Sequence, residues 1–294
     1  MKVRFIVNPA AGRFNRVEAV TCAVREVLSS AEGYFDIKVP TTTAGAQLFS
    51  RQARDLGFDA VFACGGDGTI NEVATPLVGS ATALGVVPMG SGNGFALSLS
   101  IPTDLREAVA AARTPGTTLI DAGEVCGRYF FSTAGLGFDA ALSKRYNESH
   151  YIRRRRGLAP YGPLALAEFF HYTPEPVVIR INNESIRLTP FILTVANTER
   201  YGGGAVIAPG ARPDDGLLDV AVATRVGLVG AAGIGLKLMT GRLGESGKVK
   251  YFRGQEIEVQ RTRSTLVHAD GEPFEWGGSI LFRIRPASLR VVTG

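Results

Sequence analysis

Residues 59–74, DAVFACGGDGTINEVA, run from an unbroken apolar stretch directly into a loop of glycines, and that junction admits few folds. A strand with no polar alternation is buried on both faces, as happens in parallel sheets covered by helices. The loop after it has almost no side chains: Gly65, Gly66 and Gly68 surround one charged residue, Asp67, ahead of a helix start at INEVATPLV. The same rhythm fills the first 125 residues. VRFIVN (3–8), YFDIKV (34–39) and TALGVVP (82–88) read as further strands. Val17, Val20, Val24 and Val27 recur at helical spacing, and AQLFSRQARDL and DLREAVAAAR read as helices. Strands and helices in this order predict a doubly wound α/β domain over 1–125.

After TTLIDAGEV (117–125) the pattern changes to short β-rich runs: RYFFSTAGLGFDA (128–140), PVVIRIN, IRLTPFILTVAN, LLDVAVAT, QEIEVQRT, STLVHAD and ILFRIRP (280–286). Turn residues separate most of them, which predicts a β-sandwich over 126–285, interrupted by helical insertions near 139–171 and 226–241. Residues 286–294 are open to return to the first domain.

Glycines at the carboxyl end of a parallel strand let backbone amides approach phosphate oxygens with no Cβ in the way. Asp67 is placed to hold magnesium or accept a proton, with Thr69 and Asn71 as polar neighbours. A packing turn with Asp67 as a helix cap is the competing reading of one such loop. Two more, NPAAG (8–12) after the first strand and PMGSGNGFA (88–96) after the fourth, favour a nucleotide site. Neither the Walker spacing nor a convincing GxGxxG is present. The net charge of +5 and a pI near 9.2 suit an anionic partner, while no aromatic-interleaved RNA signature or zinc-finger spacing points to nucleic acid. The opening MKVRFIVNPAAG resembles neither a signal peptide nor a membrane span, so a cytoplasmic protein is expected. Cys22, Cys64 and Cys126 are too scattered for zinc or redox pairing and are expected to be buried thiols; His150, His171 and His268 receive no role.

In this order NPAAG, GGDGTINEV and GSGN resemble the diacylglycerol kinase and sphingosine kinase superfamily of lipid kinases, most of all its bacterial soluble members. The resemblance continues through GLGFDA (135–140), YGGG (201–204), APGARPDDGLLDV (208–220) and DGE (270–272), nearly the whole chain. GGDGT alone is shared with NAD kinases and phosphofructokinases; DDGLLD and DGE add the specificity. The resemblance implies an NAD kinase-like first domain and ATP and magnesium as cofactors. It also implies an ATP site lined by Asn8, Pro9, Ala10, Ala11, Gly12, Thr41, Gly65, Gly66, Asp67, Gly68, Thr69, Ile70, Asn71 and Ser91. Thr42 or Thr43 could replace Thr41, and Ala46 stands where the family usually has histidine. Arg212, Asp215 and Leu217 match magnesium-binding positions of bacterial relatives, two of them through backbone carbonyls, and Glu272 matches the catalytic base. The family often has aspartate where this chain has Gly94, so no metal or substrate role is carried to that position.

Phosphoryl transfer needs a placed ATP, a magnesium ion and a carboxylate to take the acceptor's proton, for which Glu272 and Asp67 are the candidates. Glu272 is expected to face the glycine loops across an interdomain cleft. On spacing alone, DGE reads first as a hairpin turn with a surface glutamate, and Asp214–Asp215 as a solvated acidic turn. Arg153 to Arg156, ahead of GLAPYGPLALAEFF, form either a bilayer-facing segment or a solvated loop before a core helix. The expected function is an ATP- and magnesium-dependent kinase of a membrane lipid hydroxyl, peripheral to the inner face of an anionic membrane, with a homodimer left open. An NAD kinase-like enzyme and a catalytically silent nucleotide or lipid sensor remain the alternatives.

Overall fold

The run Ala60–Gly65 is buried at every residue because it forms the middle of a parallel sheet. The computed structural model describes residues 1–10, 16–29, 31–114, 116–148, 161–201, 204–224 and 227–293, the side chains of Thr43 and Tyr161 apart. The chain divides into two compact units, Met1–Asp121 with Ala287–Gly294, and Ala122–Pro286.

In the first unit β1 (Lys2–Val7), β2 (Tyr34–Lys38), β3 (Ala60–Gly65) and β4 (Ala83–Pro88) lie parallel in the order β2-β1-β3-β4. The carboxyl-terminal part of a long last strand, β16 (Ile280–Thr293), extends this sheet by pairing Val291 with Leu84. Helices α1 (Arg16–Leu28), α2 (Thr43–Asp55), α3 (Asp67–Ala74), α4 (Gly94–Ser98) and α5 (Leu105–Ala110) complete the unit. Val20, Val24 and Leu28 of α1 pack with Phe5, Phe62 and Val87 of the strands in one apolar core. A charged residue enters that fold near its start. Arg4 on β1 is buried, but its guanidinium donates to both Asp36 carboxylate oxygens and to Phe49 O and lies 4.6 Å from the Phe58 ring centre. A buried charge paired and hydrogen-bonded in this way avoids the desolvation cost of an isolated one.

The second unit is a β-sandwich. One sheet runs β12 (Val249–Gly254), β11 (Leu218–Thr224), β10 (Pro190–Ala196), β7 (Thr133–Gly137), β14 (Thr265–Ala269), β15 (Glu272–Trp276). The other brings the first part of β16 against β13 (Glu256–Gln260), then β8 (Val177–Ile181) and β9 (Glu184–Leu188), with β5 (Gly116–Val125) and β6 (Arg128–Phe130) pairing at its side. Alternate residues meet between the sheets: Leu193 and Val195, Val220 and Val222, and Val267 from one, with Ile179, Ile181, Ile257, Val259 and Phe282 from the other. The opposite positions of the first sheet, Ile192, Ala196, Ala221, Ala223, Val249 and Tyr251, carry α8 (Leu228–Met239) on their outer face. The other helices are α6 (Phe138–Glu148) and α7 (Tyr161–His171). No described helix is long and apolar enough to cross a membrane.

The α/β domain and the sandwich match the sequence expectation, with local differences. Helix α3 begins at Asp67 rather than Ile70, so GDGT is its first turn and not a loop. RYFFSTAGLGFDA is not one β-run: it breaks at Phe131–Ser132, and Phe138 already starts α6. All three cysteines are free, but only Cys64 is buried; Cys22 is exposed on α1, and Cys126 lies half-buried in the β5–β6 turn at a φ of 50°. Helical spacing reports one buried face, and Cys22 lies off it.

Within β4, Gly85 sits on Phe62: a Cβ there would lie 2.5 Å from the ring. Gly85→Ala is expected to lower unfolding free energy by about 1–3 kcal/mol, the usual cost of overpacking a filled core, read from urea midpoints at an unchanged slope.

Candidate active site

Three strands of the first unit end in loops that share backbone hydrogen bonds. Asn8 N donates to Cys64 O at 3.0 Å as β1 ends, and Met89 N to Gly65 O at 2.8 Å as β4 ends. The Asn8 amide then donates to the Thr69 hydroxyl at 2.9 Å and accepts from Ala10 N at 2.9 Å, tying the turn at Asn8–Ala10 to the first turn of α3. Thr69 in turn explains Gly65, where a Cβ would fall 2.4 Å from the Thr69 hydroxyl. The Gly-rich loops after β3 and β4 touch through bare backbone: a Cβ on Gly90 would lie 2.7 Å from the Gly66 Cα. Asn93, left-handed at a φ of 51°, accepts from Gly90 N at 2.8 Å and holds the second loop closed.

Asp67 occupies the junction. Its carboxylate accepts from Phe95 N at 3.1 Å and Gly94 N at 3.4 Å, the first amides of α4. Its own helix has no side chain capping the N-terminus, since the cap position is Gly66. Exposed amides and the positive end of a dipole at a helix start are what a phosphate group uses. The cap reading of Asp67 is therefore physically real, for the neighbouring loop's helix, and coexists with an anion-ready start of α3.

The other expected nucleotide residues divide by environment. Gly66, Asp67, Gly68 and Asn71 are partly exposed, and Pro9, Ala10 and Ser91 are exposed. Ile70 is buried, so it can meet a ligand only through its backbone. Thr41 is exposed, and no described contact joins it to the glycine loops; the adjacent Thr42 hydroxyl accepts from Gly45 N and caps α2. Ala46 is buried in the fold. Ala11 and Gly12 lie outside the described residues, as do Gly202, Gly203 and the Arg153 to Arg156 run.

In the second unit, DGE forms the β14–β15 hairpin. Ala269 pairs with Glu272 across a two-residue turn in which Asp270 and Gly271 have φ of 48° and 83°, the turn for which Asp-Gly is favoured. Asp270 does more than turn the chain. Its carboxylate accepts from Phe131 N, Ser132 N and Thr133 N at 2.8, 2.9 and 3.0 Å, fixing the hairpin to the β6–β7 connection. Glu272 is exposed at the start of β15, and the Asn147 amide of α6 reaches Gly271 O at 3.3 Å and Glu272 Oε2 at 3.5 Å.

Behind the hairpin is a buried polar cluster that spacing did not single out. Asp139 Oδ2 accepts from the Thr194 hydroxyl at 2.9 Å and the Tyr201 hydroxyl at 3.2 Å, and lies 3.2 Å from His268 Nε2. Burial, then the charge of Asp139, pushes the Tyr201 phenol well above its ordinary range and the Tyr172 phenol up to about 12. The signal was there in retrospect: Asp139, Tyr201 and His268 fall in or beside GLGFDA, YGGG and DGE.

The acidic turn is closed by its own partners. Arg212 is forked on Asp214 at 3.1 and 3.3 Å, Asp215 Oδ1 accepts from Leu217 N at 3.1 Å, and Arg253 pairs with both Asp215 and, at 3.0 Å, Asp219. Burial raises the Asp219 carboxyl, partly offset by Arg253. Among the described residues no three His, Cys, Asp or Glu side chains gather as metal ligands. A magnesium ion at Arg212, Asp215 and Leu217 would find one carboxylate already shared with Arg253, with the rest of its shell from main-chain oxygens and water. That all-oxygen set fits the ion but carries little charge, which suits an accessory structural cation.

Residues 2–125 match the diacylglycerol kinase catalytic domain, and residues 132–293 match the YegS C-terminal NAD kinase beta sandwich-like domain. The chain belongs to the diacylglycerol kinase family of lipid kinases. A protein of Pseudomonas aeruginosa named "Probable lipid kinase YegS-like" is 31% identical over 99% of this chain and 93% of its own. The diacylglycerol kinase of Bacillus subtilis is 28% identical over 95% and 91%. The fold is shared with a diacylglycerol kinase from Bacillus anthracis, at a TM-score of 0.75 and 18% identity over 100% of this chain and 97% of that one. The expectation of a lipid kinase with an α/β domain and a sandwich is thereby met.

In this kinase, Asp270→Asn replaces an oxygen facing backbone N–H donors with an NH2 group. It is expected to cost about 2–4 kcal/mol of stability, as for charge-assisted bonds lost with donors left buried. Thermal or urea denaturation reads it; an unchanged midpoint removes the clamp.

Proposed function

We propose that this kinase transfers the terminal phosphoryl group of ATP to a hydroxyl of a membrane lipid of the diacylglycerol class, with magnesium. The observation that carries the reading is the meeting of bare backbone at Gly66 and Gly90 beside the start of α3, where no side chain caps the helix. The amides of that start, with Asn8 and Thr69 bracing the first loop, bind and orient the phosphates. Gly65 to Asn71, Asn8 to Gly12 and Ser91 line the nucleotide, and Thr41 belongs to the same set. Magnesium bound with the nucleotide would supply charge neutralisation on the transferred group. Asp67 lies at the junction of the two loops and is assigned to hold that charge in place. Arg212, Asp215 and Leu217 form the accessory cation position.

Glu272 takes the proton of the attacking lipid hydroxyl. Support comes from its exposure on a hairpin whose turn is pinned by three backbone amides, so that the carboxylate is presented on a fixed support. The lipid acceptor implies work at a bilayer surface, from the cytoplasmic side. Purified protein given labelled ATP and magnesium with a lipid extract, with diacylglycerol or with NAD decides the acceptor. Label in NAD alone would make it an NAD kinase-like enzyme, and label in nothing a silent binder.

Two substitutions separate the carboxylates. Glu272→Gln is expected to lower turnover by about two to four orders of magnitude, the range of a general base, with ATP affinity and melting temperature nearly unchanged. Asp67→Asn is expected to abolish transfer while costing about 1 kcal/mol or less in stability, because asparagine also serves as a helix cap. Turnover kept in Glu272→Gln but lost in Asp67→Asn would move the base to Asp67.

A further inference from the structure

We infer that helix α8 is the element by which this kinase rests on an anionic bilayer; this builds on the proposed lipid acceptor. The helix reads LVGAAGIGLKLM, with one charged residue in twelve. Ile234 and Leu238, four apart, pack inward on the outer face of the β10–β11–β12 sheet. A surface helix anchored by one apolar stripe normally turns a polar face to water. Here the opposite stripe is apolar as well. Val229 is 89% exposed, Leu236 67% and Met239 51%, with Ala232 and Gly233 exposed between them. No residue of α8 is buried. An apolar stripe of this length left in water marks a contact surface.

The surroundings select the occupant. Lys237, in the last turn of α8, is followed by Arg242 and Lys248, and the one acid between them, Glu245, is forked by Arg242. Apolar side chains facing outward with basic groups beside them match the acyl boundary and the anionic headgroups of a bilayer surface. A second copy of the chain docked on the same stripe about a twofold axis would bring this basic rim against itself, which like charges oppose. At twelve residues the helix is far too short to span the hydrocarbon and is suited to lie along its surface.

The test is sedimentation of the full chain with vesicles of phosphatidylcholine alone or mixed with phosphatidylglycerol, without ATP. The variants are Val229→Glu/Leu236→Glu and Lys237→Gln/Lys248→Gln, and melting temperature checks their fold. The first pair is expected to weaken binding about tenfold or more on mixed vesicles, since it places two carboxylates in the buried stripe. The second pair should weaken binding only to the anionic vesicles and flatten its salt dependence. With a short-chain, water-soluble diacylglycerol as acceptor, both variants should keep wild-type turnover. Wild-type vesicle binding lost in Val229→Glu/Leu236→Glu, with no lipid phosphorylated by any form, would remove the proposed acceptor and leave the docking surface standing. Equal sedimentation of wild type and Val229→Glu/Leu236→Glu overturns the inference. So does unchanged vesicle binding with a halved mass at sedimentation equilibrium, which would make the stripe an interface between copies.

Discussion

The first unit depends on the backbone of one glycine loop lying against the backbone of another. At Gly66 and Gly90 the chains approach so closely that a Cβ on Gly90 would fall 2.7 Å from the opposite Cα. Any other residue there would separate the loops, and with them the hydrogen bonds that each loop makes. Gly90 N would leave Asn93, and Asp67 would lose the amides of Gly94 and Phe95. The contact fixes where α3 and α4 begin relative to one another, which under the proposed function would give a phosphate group amides already in position. Preorganisation of this kind counts because donors that need not move at the moment of reaction stabilise developing charge more fully.

The second unit solves a different problem with the same means. A two-residue turn alone would hold the hairpin that carries the exposed Glu272 only loosely, because isolated hairpins are marginal in water. Asp270 supplies the missing constraint by accepting three consecutive amides. Asp139 adds a second tie, drawing Thr194, Tyr201 and His268 together on the outer face of the sheet. Buried polar groups of this kind cost stability if any partner is removed, so they hold one arrangement rather than many. Farther along the same face the covering is apolar, where α8 lies on Ile192, Ala223 and Val249. One sheet face is thus polar behind the hairpin and oily under α8.

Much of this was legible in the chain, for reasons that can be located. DAVFAC could only be a doubly buried strand, and the three small-residue loops had to lie at one edge once the strands were parallel. The DG turn of β14–β15 and its φ values follow from the dipeptide itself. What stayed hidden was the work of individual polar atoms. Nothing in GGDGTINEV says that Asp67 caps a helix 27 residues later, or that Asn93 adopts a left-handed turn to close its loop. Arg4 inside VRFIVN reads as a break in an apolar strand until Asp36 and Phe49 O are seen to satisfy it. Periodicity reports which side of an element is buried; it is silent about which distant partner satisfies a buried polar group.

Gly94 bears most directly on how the Asp67 carboxylate is oriented. NPAAG, GGDGT and PMGSGNGFA contain a single charged side chain between them, Asp67. With glycine at position 94, that position contributes a backbone N–H aimed at Asp67 and no second acid beside it. An aspartate there would add a like charge next to the first, which a metal ion would have to offset. The Asp67 carboxylate accepts an amide on each oxygen, from Gly94 N and Phe95 N. One acid, oriented by backbone amides, thus fixes a charge where two glycine loops meet.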